Sequence, residues 1–149
     1  MVFAGASRGA AQASHRVTLV IPEVESLAIT SGPIRMTFAT PPPGEPFEDV
    51  IDASATYSVS VNTADNKITG VLDADYGEGL RLAVRRAAPP GARSLGSVGL
   101  GVAARDLVAD VSQVAASELT VAYTASVTGA APPPGTQATR TVTYTVTDQ

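Results

Sequence analysis

Hydrophobic and polar residues alternate along most of the chain, most plainly at its end. In Arg140-Thr141-Val142-Thr143-Tyr144-Thr145-Val146-Thr147, Val142, Tyr144 and Val146 share one face and four threonines the other. Only an extended strand places every second side chain on the same side. Thr, Val and Tyr also suit a pleated, half-buried surface. The same period predicts strands at His15–Ile21 (Val17, Leu19, Ile21 in phase), Val24–Thr30 and Ile34–Thr40 (Ile34, Met36, Phe38). Pro22 breaks the first run, because proline cannot donate to a ladder. Ala55–Asn62 points Tyr57, Val59 and Val61 inward, and Lys67–Leu72 pairs back across a turn at Asp65-Asn66, with Gly70 marking a bulge. Further strands are predicted at Leu80–Arg86, Leu95–Ala103 and Leu119–Val127. Within Asp106–Ser117, Leu107, Val111 and Val114 fit a helical face about as well as a strand.

Short strands between Gly- and Pro-rich turns, with no clear helix longer than ~10 residues, predict an all-β fold. The expected architecture is an antiparallel β-sandwich, immunoglobulin-like or pilin-like, of about eight to ten short strands. The last two strands are expected to form a hairpin across the proline-containing loop Gly129–Thr136. Residues 15–149 read as a single domain and residues 1–14 as a disordered tail or the remnant of a signal peptide. Ala11-Gln12-Ala13 has the A-x-A form of a cleavage site, but the charged and long apolar regions of a signal are missing. Either the start lies further upstream or the segment is a tail. No apolar run approaches the ~20 residues of a membrane span.

Composition narrows the chemistry. At 149 residues, 44% of them apolar, the chain can build a core without disulfides, and it has no cysteine for a thiolate nucleophile or a Cys-ligated zinc. Net charge is −4, without the basic stripe of a nucleic-acid binder. Arg81, Arg85 and Arg86 read as solvated positions beside a buried Leu80/Leu82/Val84 face. His15 is the one histidine, so a Ser–His–Asp site would have to use it at the mobile start of the first strand. Asp73, Asp75 and Glu78, around Tyr76 and Gly77, form a weak calcium candidate beside the plainer reading of an acidic hairpin turn. No other cofactor is expected. Glu45, Glu48, Asp49 and Asp52 read as a solvated loop rather than a glycosidase pair. Trp is absent, and Tyr76 alone could serve as an exposed platform for a sugar. The spaced glycines of Gly96–Gly101 have no helix after them to make a phosphate loop.

The stretches HRVTLVIPEVESLAI, YSVSVNTADNKITGVLD and LTVAYTASVTGAAPPPGTQATRTVTYTVTD together resemble bacterial secreted β-sandwich proteins of the fimbrial-subunit and spore-coat-protein-U kind. The resemblance implies a non-enzymatic structural role in surface fibres or coats, secreted or at the cell surface. Its implied partners are other subunits or cell-surface components, with no nucleic acid. Val17, Leu19 and Ile21 could supply a strand that completes a neighbour's sheet, or form an ordinary edge strand of their own domain. Two departures from the pattern stand out: such pilins commonly carry a disulfide, and their characteristic tyrosine lies next to last, whereas Tyr144 is further in. The alternative reading is a small cell-surface binding module for polysaccharide or protein.

Overall fold

A computed structural model describes residues 10–149. Among the described residues nine strands form two antiparallel sheets packed face to face, a β-sandwich. The strands are β1 (Glu25–Ile29), β2 (Val50–Val61), β3 (Asn66–Leu72), β4 (Leu80–Arg86), β5 (Arg93–Ser94), β6 (Ser97–Gly99), β7 (Arg105–Val111), β8 (Val114–Val127) and β9 (Val142–Asp148). One sheet has the order β1-β2-β8-β4-β6 and the other β5-β7-β3-β9.

Alternation builds the core. Ala55, Tyr57, Val59 and Val61 of β2 face Ile68 and Leu72 of β3 across the sandwich, joined by Leu82, Val84, Leu107, Val108, Val111, Val121 and Tyr123. Each Val, Leu or Ile side chain so removed from water stabilises the fold by about 1.5–3 kcal/mol, before the entropy of ordering it is subtracted.

Three strands, β2, β7 and β8, reverse their phase part-way. In β2 the register with β8 shifts between Asp52 and Ala55. The Asp52 carboxylate accepts the Ser54 N–H (3.0 Å) and hydroxyl (2.6 Å) at that point. In β8 the shift falls at Glu118, whose φ is 57°, and in β7 at Asp110, with φ 60°. An extra residue at each bulge moves the following side chains to the other face.

Several expectations are corrected. Asp106–Ser117, open between strand and helical turn in the sequence, is strand: it is β7, a tight Ser112-Gln113 turn and the start of β8. The helix-like spacing of Leu107, Val111 and Val114 comes from the Asp110 bulge and that turn. β8 and β9 are not a hairpin, since they lie in different sheets and the 128–141 loop crosses between them. Leu95–Ala103 holds only β6, with β5 before it. Asn66 is the buried first residue of β3 rather than part of the loop. Gly70 is not itself the bulged residue: β3 pairs with β9 without a break through Gly70 and Tyr144, and the nearby register shift with β7 falls between Ile68 and Thr69. A Cβ there would come within 2.9 Å of Leu107 Cδ1 and 3.2 Å of Tyr144 Cε1, so close packing calls for the glycine.

Ile34–Thr40 is not a strand. Ile34 and Met36 still pack on the core, and Phe38 meets Phe47 edge to face (6.1 Å, 83°). Within residues 31–49 the one backbone hydrogen bond runs from Glu45 N–H to the Pro42 carbonyl (3.0 Å), so no ladder forms. His15–Ile21 is not a strand either.

Candidate functional site

Residues 10–24 belong to neither sheet. Val17, Leu19, Val20 and Ile21 are 66, 86, 81 and 84% exposed, and His15 is exposed on the same segment. The cleavage-like Ala11-Gln12-Ala13 is exposed too, whereas the first nine residues of the expected tail lie outside the described residues. Pro22, directly after Ile21, denies the segment a continuous ladder into β1. Its point of departure is nevertheless fixed. Asn62, just past β2, donates from Nδ2 to the Pro22 carbonyl and accepts the Val24 N–H at Oδ1, both at 2.7 Å.

On the four-stranded sheet, β9 is an edge. It bonds to β3 through the register Thr143–Val71, Thr145–Thr69 and Thr147–Lys67. Asp73 N–H donates to the Thr141 carbonyl (3.1 Å), which sets the alternation of the ladder. By that alternation the N–H and C=O groups of Val142, Tyr144 and Val146 point away from β3. Among the described residues no backbone group bonds to them. From Val142 to Thr147 this edge carries no charge and no proline, two of the features by which exposed edges are normally protected.

The acidic turn is held from the far loop. Arg140 donates from Nε (2.9 Å) and one terminal nitrogen (2.7 Å) to the Asp75 carbonyl. Its guanidinium lies 5.2 Å from the centre of the Tyr76 ring. Tyr76 is therefore half-buried beneath an arginine and not the exposed platform expected for a sugar. The Asp73 carboxylate accepts the Thr141 N–H at 3.0 Å. Among the described residues no three His, Cys, Asp or Glu side chains are grouped to hold a metal, and Asp73, Asp75 and Glu78 are not gathered. Glu45, Glu48 and Asp49 are exposed in the loop, whereas Asp52 is half-buried in β2, where it holds Ser54.

The largest departure from the sequence reading is Arg86. It is fully buried rather than solvated. Its guanidinium lies between two ring faces, 3.7 Å from the centre of Tyr57 and 4.2 Å from that of Tyr144. Among the described residues no hydrogen-bond partner meets Nε or either terminal nitrogen. The ring quadrupoles take the place of a counter-ion. The Tyr144 and Tyr123 hydroxyls are 2.6 Å apart, joining β9 to β8 across the sandwich, and the Tyr57 hydroxyl donates to the Ala87 carbonyl. Burial lowers the Arg86 pKa, and the three tyrosines oppose that shift. Burial also pushes the Tyr144 phenol well above the ordinary range, helped by its bond to Tyr123, while Arg86 pulls the other way.

The signal for Arg86 was in the pattern, since it continues the inward phase of Leu80, Leu82 and Val84. The residue type argued for solvent and the period argued for the core. Asn62 offered no signal, because its role depends on a segment 38–40 positions away.

No family model, curated protein or solved structure matches this chain.

Proposed function

We propose that this protein is a non-enzymatic structural subunit of an extracytoplasmic fibre or coat, in which the N-terminal segment of one copy adds as a strand to the next. One observation carries the reading: Val17, Leu19, Val20 and Ile21, a strand-forming apolar run, stay in solvent while the domain completes its sandwich without them. Apolar surface of this kind gains free energy by leaving water, and an extended segment does so best on a sheet edge whose backbone groups are unpaired. The receiving edge is β9. Its seven residues match the span of His15–Ile21. Antiparallel or parallel addition there would satisfy the outward groups of Val142, Tyr144 and Val146 while Leu19 and its neighbours extend the apolar layer.

The test is the mass of the full chain in solution by light scattering over a wide concentration range. Assembly is expected to grow with concentration and to vanish in Leu19→Asp and Ile21→Asp, which leave the sandwich untouched. A wild-type chain that stays monomeric throughout overturns the reading. The binding-module alternative would instead show glycan or protein capture that survives Leu19→Asp.

A further inference from the structure

We infer that the shallow cleft between β6 and the start of β7 is a binding site for an oxyanion, a carboxylate or phosphate group borne by a ligand. The cleft is lined by Arg81, Val98, Gly99, Leu100 and Arg105. It is independent of the assembly reading, since it uses neither the N-terminal segment nor β9.

Arg81 lies on the outward phase of β4, with Arg85, and is exposed. β6 is the neighbouring edge strand, and its Gly99 pairs with Ala83 on that same face. Gly99 has no side chain, and a Cβ built on it would meet nothing within 4 Å. The floor of the cleft is therefore bare backbone, across which the Arg81 side chain has room to reach the sheet edge. Arg105, exposed at the start of β7 in the other sheet, approaches the same floor.

The floor itself supplies a donor. Leu100 N–H bonds to the Leu82 carbonyl at 2.9 Å. In the register Val98–Val84 and Gly99–Ala83, this makes residues 98 and 100 the ones that bond to β4. The N–H and the C=O of Gly99 then both point out of the sheet edge, so an anion there must approach the N–H and avoid the carbonyl oxygen. Arg81 and Arg105 line one cleft with Gly99 between them, and guanidinium forks with a backbone N–H are the parts from which oxyanion sites are made.

Arg81 and Arg105 keep their charge free for a ligand, although the net charge of −4 works against anions in general. The chain has 14 carboxylates for 10 basic residues, so acidic partners are in surplus. Yet the ion pairs among the described residues are Lys67–Asp106 (3.2 Å) and Arg93–Asp110 (3.5 Å), and neither includes Arg81 or Arg105. Asp106, next to Arg105, is thereby engaged elsewhere. An acidic group stands by the neighbouring Gly101: Asp75 Oδ1 lies 3.7 Å from the place a Cβ there would occupy. It limits the positive end to the stretch between Arg81 and Arg105 and should weaken anion binding by repulsion.

The experiment is amide chemical-shift titration of the labelled full chain with inorganic phosphate and, separately, acetate, at constant ionic strength set with chloride. A saturable shift of the Gly99 amide is expected. Whichever anion reaches its midpoint at lower concentration identifies the group as tetrahedral or planar. Arg81→Gln and Arg105→Gln should each raise that midpoint by about threefold to tenfold, the effect of losing one exposed charged hydrogen bond. Asp75→Asn should lower it, and all three variants should keep the dispersed spectrum of the folded chain. A Gly99 shift that does not saturate, that chloride reproduces, or that is unchanged by Arg105→Gln overturns the site.

Discussion

Replacing Arg86 by Met removes a buried charge that has no carboxylate partner while keeping much of the volume between the Tyr57 and Tyr144 rings. Buried ionic groups exchanged for well-packed apolar ones are often neutral or stabilising, so Arg86→Met should hold or raise urea-unfolding stability, by up to about 1–4 kcal/mol. Tyr144→Leu should do the opposite, costing about 2–4 kcal/mol, because it strips one ring from a charge that stays buried. The double variant should cost less than Tyr144→Leu alone. The tyrosines also set an alkaline limit. Burial raises the pKa of Tyr57, Tyr76 and Tyr144 above the ordinary tyrosine value. A phenol that holds its proton more tightly when folded contributes stability that is complete below the unfolded pKa and is lost as pH rises beyond it. Melting temperature should therefore fall above about pH 10, and tyrosinate absorbance of the native protein should lag that of the urea-unfolded chain.

At the level of strands, Gly70 and Glu118 mark where backbone decides. Gly70→Ala pushes a methyl group into Leu107, Tyr144 and Leu100, and should cost about 1–3 kcal/mol in denaturant unfolding. Exposed Glu118 adopts a left-handed φ of 57°, so Glu118→Gly should be neutral or slightly stabilising, whereas a β-branched residue there should destabilise. The same positions explain which strands could be read from sequence. The alternation of β9, β3 and the second half of β2 is unbroken, and those strands stand where the pattern puts them. β7 and β8 carry bulges, which turn a period of two into spacings that imitate a helix. The pairing of β8 with β4 rather than β9 was not legible, since the crossing loop has the turn residues of a hairpin. For the candidate segment the apolar alternation of Val17, Leu19 and Ile21 was legible, but its lack of a partner depends on whether an edge of the same domain can accept it.

For the molecule as a whole, the sandwich and the segment before it are energetically separable. Removing residues 1–21 leaves Pro22 and Val24 on Asn62 and should change the melting temperature by no more than about 2 °C, a fraction of what one lost core side chain would cause. A larger drop would mean that the segment packs on its own domain.

The grip of Asn62 on Pro22 and Val24 has a counterpart at the other end of the chain. Gln149 donates its backbone N–H to the Asp65 carbonyl (2.7 Å), and its side chain bridges to Asp110. Entry and exit thus meet on one short turn, residues 62–65. A brief glycine-serine tether from Gln149 back to Glu23 should therefore yield a circular permutant that folds, with new termini opened in the exposed 133–137 stretch.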